Sequence, residues 1–138
     1  MTREQIKDIA ENLDCGFRCF IHRDTREVKF VPDRDRFPDM DTDPWAADYK
    51  EIKRKRDDYI EIDAMSSGDS FRLMADFVDT VDDNRTRARL EQALNGSKPF
   101  RNFKFQIDNS GPFRIKWFEF KETRLIAWVE DMLKAYNL

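Results

Sequence analysis

The longest helical pattern in the chain lies near its C-terminal end, where residues 113–136 read FRIKWFEFKETRLIAWVEDMLKAY. Gly111-Pro112 marks a break before it, and the spacing predicts one helix of about 25 residues, about 37 Å long. Its apolar residues fall on two stripes instead of one, so this helix must be covered on two sides. The first stripe contains Phe118, Leu125, Val129, Met132 and Tyr136, widened by Ile115, Ile126 and Leu133, and the second contains Phe113, Trp117, Phe120 and Trp128.

The second stripe leaves two explanations open. A small sheet and the other helices of the chain can cover the first stripe. The second stripe then needs either more of the same chain or a partner molecule, because large apolar surfaces on a soluble protein are rarely left in water.

Alternating patterns elsewhere predict a small antiparallel sheet. Residues 15–22 alternate so that Cys15, Phe17, Cys19 and Ile21 share one face of a strand. A turn at Asp24-Thr25 and a second strand around residues 28–30 complete a hairpin, and residues 59–63 alternate as a third strand.

The remaining segments carry helical spacing and capping residues. They predict helices over about residues 3–13, in the region after Pro44 with Asp43 as its N-cap, and over about 70–81, 88–94 and 99–108. We therefore predict an α+β fold with about three strands, about five helices and a long C-terminal helix. The organisation expected is one domain over residues 1–138, with an acidic variable loop and a short helix at 33–57.

Composition places the chain among soluble globular proteins. It has 138 residues, of which 38% are charged and 13% aromatic, including 12 Phe, and a mean hydropathy of -0.81. Disordered chains combine high charge with few aromatic residues, and a membrane-spanning helix needs about 20 apolar residues in a row. Residues 1–6 have no apolar core of a signal peptide, so we expect a cytoplasmic protein, no membrane partner and reduced cysteines.

Charge is distributed unevenly along the chain. Residues 98–121 hold six Lys/Arg against two Asp/Glu, whereas residues 1–97 have a balance of -6. A second basic cluster lies at Lys53–Arg56. The acidic pI of about 5.3 argues against general binding of a phosphate backbone, although it leaves room for a local basic patch.

No residue pattern indicates a metal or a cofactor. Cys15, Cys19 and His22 invite a zinc site, but on one strand the two cysteines would lie about 13 Å apart and His22 would point to the other face. Asp39, Asp41 and Asp43 match the first ligand positions of a calcium loop, yet Pro44 stands where that loop needs glycine.

Catalytic patterns are also missing. The chain has one His and four isolated glycines, so it offers no glycine-rich phosphate loop and little scope for a His-activated nucleophile. We therefore expect no catalytic residues and no cofactor, and the sequence points away from an enzyme.

Several motifs together resemble an uncharacterised bacterial protein family of the UPF type. They are the hairpin at 17–31, the helix with Leu73-Met74-Ala75-Asp76-Phe77, the segment Phe100-Arg101-Asn102-Phe103-Lys104, and Trp117-Phe118-Glu119-Phe120 followed by Arg124-Leu125 and Trp128. The resemblance covers roughly residues 15–31 and 59–136. It implies a bacterial, cytoplasmic protein, and it implies no activity, because the family has none established.

Two functional hypotheses lead, and an enzyme with a pocket containing Arg101, Arg124 and a buried carboxylate ranks third. The first is a small non-catalytic module that binds another protein or its own copy. The second is a nucleic-acid contact through segment 98–104, where basic and aromatic residues alternate, together with Lys53–Arg56, and it requires the two basic clusters to meet on one surface. Helical spacing instead favours Phe100, Phe103 and Ile107 as core. The candidate binding residues are Lys98, Arg101, Lys104, Trp117, Phe120 and Arg124.

Overall fold

The structure is a computed structural model that describes all residues from 1 to 138. The chain forms two compact units, each with an apolar core of its own. The first unit comprises Met1–Ala64 and Leu125–Leu138, and the second comprises Met65–Arg124. The organisation as a single domain stays a prediction.

The first unit is built on the predicted three-stranded antiparallel sheet, and the α+β class is confirmed. Strands β1 (Phe17–His22), β2 (Val28–Pro32) and β3 (Tyr59–Ile62) lie in the order β2-β1-β3. The hairpin register pairs Cys19 with Phe30, and β3 pairs Ile62 with Cys19. The central strand therefore has neighbours on both edges.

Side chains of successive strand residues point to opposite faces of the sheet, and on both faces they pack into an apolar core. On one face Cys19 and Ile21 pack with helix α1 (Arg3–Asp14) and with residues from the C-terminal end of the chain. On the other face Phe20 packs with Ile52 of helix α2 (Ala46–Arg54).

The prediction that the first strand begins at Cys15 is wrong. Helix α1 continues to Asp14, and Cys15 forms its exposed C-cap. Gly16 then reverses the chain with a φ of +93°, a conformation that favours glycine. A Cβ atom there would lie 2.9 Å from the ring of Phe37, so the turn also needs glycine for space.

The acidic segment 33–43 is a loop of turns, as predicted, but the helix after it begins differently. Residues Asp43–Trp45 form a tight 3-10 turn without a side-chain cap, and α2 starts only at Ala46. The Trp45 N–H donates to the Thr42 carbonyl at 2.9 Å. Trp45, and not Asp43, is the residue that precedes the first turn of α2. Asp43 is therefore not the N-cap of an α-helix.

The second unit is helical. It contains α3 (Ser67–Thr80), α4 (Asn84–Asn95), α5 (Pro99–Asp108) and the first half of α6 (Phe113–Ala135). Ser66 and Asp83 cap α3 and α4 by accepting hydrogen bonds from backbone N–H groups. The core of this unit gathers Leu73, Phe77, Leu90, Phe103, Ile107 and Trp117.

Helix α6 buries its second apolar stripe and the middle of its first within the chain, whereas Ile115, Phe118 and Tyr136 of the first stripe are exposed. In the second unit the Trp117 ring packs against Phe77 and Phe103, at centroid distances of 5.3 and 4.9 Å. In the first unit Val129 enters the core, and Trp128 Nε1 donates to the Asp63 carbonyl at 2.9 Å. The second stripe is thus covered by the chain itself. No helix of the structure combines the length and apolarity needed to cross a bilayer.

Candidate functional site

Exposed apolar side chains concentrate in the basic segment of the second unit. Of the seven large apolar side chains that are exposed, four lie between residues 100 and 118. They are Phe100, Phe105, Ile115 and Phe118, with exposed fractions of 44, 64, 63 and 40%. This is the feature of the surface that fold stability does not explain.

Helix α5 divides its aromatic residues between core and solvent. Phe103 and Ile107 are buried, as predicted, but Phe100 is exposed, so its assignment to the core was wrong. Phe100 lies two turns before Ile107, at the start of the helix. Its neighbour one turn on is Lys104, and Arg101 and Phe105 form a second pair at the same spacing on the exposed side.

Asp108 connects α5 to α6 through two basic side chains. Its carboxylate accepts from Lys104 Nζ at 3.0 Å and from Arg114 Nε at 3.3 Å. The hydrogen bond from Lys104 is the main cause that lowers the pKa of Asp108, and it outweighs desolvation. Lys104 and Arg114 are therefore held in place and partly neutralised.

Phe118 on α6 is flanked by cations. The guanidinium of Arg114 lies 4.8 Å from the centre of its ring, and Lys121 Nζ lies 5.5 Å from it. Such contacts are favourable because the face of an aromatic ring is electronegative. We define the basic aromatic face as Lys98, Phe100, Arg101, Lys104, Phe105, Arg114 and Phe118, all exposed.

Arg124, one of the predicted site residues, has a structural role within the second unit. Its Nη2 atom donates to Asp76 Oδ2 at 2.8 Å, and its guanidinium lies 5.1 Å from the centre of the Phe120 ring. Phe120 in turn packs on Phe77. The pair joins α3 to α6, which accounts for an arginine at this position.

The six predicted site residues thus separate into two groups. Trp117 is only 7% exposed and Phe120 is half-buried, and Arg124, although exposed, is engaged by Asp76 and Phe120, so these three contribute to the packing of the second unit. Lys98, Arg101 and Lys104 are exposed. Neither Lys98 nor Arg101 forms an ion pair.

Sequence reasoning missed three members of the face: Phe105, Arg114 and Phe118. A signal for Phe105 was available, because 100° per residue places it on the side of α5 opposite Phe103. Phe118 was assigned to an apolar stripe of α6, and only the packing shows that this end of the stripe is uncovered. The second basic cluster, Lys53–Arg56, belongs to the first unit.

The side chains of Cys19 and His22 have structural roles in the first unit. Burial raises the pKa of the Cys19 thiol to about 12, so it stays protonated. His22 Nδ1 accepts the backbone N–H groups of Asp24 and Thr25 at 3.1 and 3.2 Å, which stabilises the hairpin turn. No group of three His, Cys, Asp or Glu side chains is placed to hold a metal ion.

Besides a cavity among Glu4, Asp8 and Glu11 of α1, two cavities lie within the units. One in the first unit, about 130 Å³, is bordered by Arg18 and Glu61, which form a two-pronged ion pair at 2.8 and 2.9 Å. One in the second unit, about 210 Å³, lies among Phe77, Val81 and Phe113. The first has its charges matched and the second is mainly apolar, so neither presents a catalytic arrangement.

Fold and surface together define a small α+β protein with a basic, aromatic surface. Comparison with known proteins gives the family: the profile of an uncharacterised protein family, UPF0158, matches residues 3–138, and the chain belongs to that family. The chain is similar to the UPF0158 protein PA5073 of the bacterium Pseudomonas aeruginosa, with 33% identity over 77 residues. That match covers 56% of this chain and 50% of the relative. No solved structure matches the chain.

Proposed function

We propose that this protein is a non-catalytic binding module of the cytoplasm, and that its basic aromatic face binds an acidic, amphipathic segment of a protein. The observation that carries the proposal is the set Phe100, Arg101 and Phe105. All three are exposed on one short helix, and Arg101 has no ion pair. Packing of the second unit gives no reason for two phenylalanines in water.

The chemistry of the face fits such a segment. Covering an exposed Phe side chain contributes about 1.5–3 kcal/mol, and aromatic and Arg residues dominate binding energy at protein interfaces. Arg101 can receive a carboxylate in a bidentate pair. A partner with acidic residues beside apolar ones would satisfy both parts of the face.

Single-stranded nucleic acid is the alternative partner. The alternation of Phe100 and Phe105 with Arg101 and Lys104 favours it, because bases stack on aromatic rings while cations meet phosphates. Against it, Asp108 already pairs with Lys104 and Arg114. Lys98 and Arg101 are then left for phosphates, in a chain of net charge -3, and two phosphate contacts give only weak binding.

Fluorescence anisotropy separates the two partners. The probes are a labelled Glu/Leu helical peptide, its Lys/Leu counterpart and a labelled oligothymidine. We expect the wild-type protein to bind the acidic peptide, and Arg101→Glu or Phe105→Ser to weaken that binding about tenfold or more. Arg3→Glu and Tyr136→Ser, exposed positions of the first unit, serve as matched controls and should leave it unchanged.

Each result has a defined meaning. Tighter binding of the oligothymidine than of the acidic peptide, lost in Arg101→Glu, would assign the face to nucleic acid. Equal binding of the acidic and basic peptides, or no binding of any probe, would overturn the proposal.

A further inference from the structure

We propose that the acidic segment is supplied by a second copy of this chain: Asp39-Met40-Asp41 of one copy docks on the basic aromatic face of another. This inference rests on the proposed function of that face. It names the partner and the contacting residues.

The segment has the required composition and is accessible. Met40 is 37% exposed, and the carboxylates of Asp39 and Asp41 on either side of it are exposed and form no ion pair. Met40 is the exposed large apolar residue of the acidic loop, as Phe100 and Phe105 are those of α5. The loop and the basic aromatic face thus have opposite charge, and each has exposed apolar residues and charged groups without an ion pair.

The loop is held in shape before it binds. The Arg34 guanidinium lies 3.9 Å from the centre of the Tyr49 ring, and the Phe37 ring packs edge-on against Phe17 at 6.3 Å. Near the tip, Asp41 Oδ1 accepts the Asp43 N–H at 3.0 Å. A preformed loop loses little conformational freedom on docking, which favours association.

The spacing of charges on the two surfaces is compatible. Lys98 is the N-cap of α5, and its carbonyl accepts the Asn102 N–H at 3.0 Å, so Lys98 and Arg101 bound the first turn of the helix, about 5 Å apart along its axis. Asp39 and Asp41, two residues apart in an irregular loop, span at most about 7 Å. Two carboxylates can then meet two unpaired cations while the Met40 thioether lies against a Phe ring, a contact that sulfur favours.

The charges of the residues around the contact also favour association, because the loop segment is acidic and the face segment is basic. Residues 33–43 contain five Asp and two Arg, and residues 98–121 have a balance of +4. Each chain offers one loop and one face, so the contact is heterologous. It closes as a reciprocal pair or continues as an open chain of molecules.

Multi-angle light scattering of the full chain over a range of concentrations tests the inference. At low salt the average mass should rise above that of the 16.6 kDa monomer, and about 0.5 M salt should reverse the rise by screening the charges. Asp39→Lys with Asp41→Lys should abolish association, as should Lys98→Glu with Arg101→Glu. Asp57→Lys with Asp58→Lys, the same charge change at exposed positions of the first unit, should not.

Mixing the two charge-reversed proteins gives the decisive result. In the mixture the lysines of the reversed loop can pair with the glutamates of the reversed face on the other protein. The native loop of that protein can pair with the native face of the first, so association should return. Circular dichroism checks that each variant is folded. Association of the wild-type chain that survives both reversals, or a mixture that stays monomeric, would overturn the contact.

A peptide of residues 36–46 separates this inference from the proposed function. It should bind the wild-type protein, and its Asp39→Asn, Asp41→Asn form should bind at least about tenfold more weakly. Suppose that the wild-type chain stays monomeric and does not bind this peptide, but binds the Glu/Leu peptide. The inference of a second copy as partner is then wrong, while the proposed binding function of the face is supported. If both peptides fail, both proposals fall.

Discussion

At the residue scale, the same side-chain type has different roles that depend on its neighbours. Arg124 lies between Asp76 and the ring of Phe120, and Lys104 is tied to Asp108. Arg101 is exposed and has no carboxylate partner. Water solvates this exposed guanidinium, and under the proposed function a carboxylate of the partner would pair with it.

Lys29 shows the opposite arrangement, because three carboxylates of the chain surround its ammonium group. Its Nζ atom lies 3.1, 3.2 and 3.4 Å from carboxylates of Asp48, Glu51 and Glu27. Burial opposes the charged amine, but the hydrogen bonds to Asp48 and Glu51 outweigh it and raise the pKa of Lys29. The cluster links β2 to α2.

Acidification should weaken this cluster. The hydrogen bond from Lys29 lowers the pKa of the Glu51 carboxyl below its usual value of 4.5. A lowered folded-state pKa stabilises the protein above the usual value, and that stability is lost as pH falls through the folded-state pKa. Urea midpoints measured from neutral pH down to about pH 3 should therefore fall less steeply for Glu51→Gln than for the wild type.

Glu11→Gln is the control for that measurement, because Glu11 is an exposed carboxylate on α1. Its acid dependence should match that of the wild type. A Glu51→Gln protein with an unchanged pH profile would show that the Lys29 cluster contributes nothing to acid sensitivity.

At the element scale, α6 shows how one helix serves two cores in succession. Its first half places Trp117 among the aromatic residues of the second unit, and its second half places Val129 in the sheet core of the first. An apolar residue on this helix can therefore be core or surface, and which it is depends on the position along the axis. Phe118, next to Trp117 in sequence, is exposed.

Neighbouring substitutions on α6 should accordingly differ in cost. Trp117→Ala removes a side chain packed between Phe77 and Phe103 and should lower the free energy of unfolding by about 3–5 kcal/mol. Phe118→Ala removes an exposed ring and should change it by about 0.5 kcal/mol or less. Urea denaturation measures both, and a loss for Phe118→Ala as large as that for Trp117→Ala would contradict the packing described.

At the scale of the whole molecule, the chain is acidic while one segment of the second unit is basic. The net charge is -3, although residues 98–121 carry +4. That balance already includes Asp108, which pairs with both Lys104 and Arg114. Long-range attraction to a polyanion depends on the charge of the whole surface, and here it is weak.

A heparin column tests this consequence. We expect the wild-type protein to pass through at about 0.15 M salt, because the chain as a whole is acidic and repels a polyanion. Lys98→Glu with Arg101→Glu should behave in the same way. Retention of the wild-type protein that this double substitution abolishes would show that the basic segment dominates, and would favour nucleic acid over an acidic protein segment.

The sequence by itself determined the α+β class, the hairpin, the third strand and the long last helix. These follow from periods of two and 3.6 residues, which are local properties of the chain. It also pointed to the segment with Lys98, Arg101 and Lys104. The family resemblance, confirmed over residues 3–138, adds no activity.

Only the tertiary structure decided what covers each apolar stripe. An amphipathic pattern shows that a face is buried but carries no information about which distant residues bury it, because those contacts join segments far apart in sequence. For this reason the sequence predicts Trp117, Phe120 and Arg124 as binding residues, whereas Trp117 is buried, Phe120 is half-buried and the exposed Arg124 pairs with Asp76. For the same reason only the packing of the helices in the structure identifies Phe105 and Phe118 as exposed.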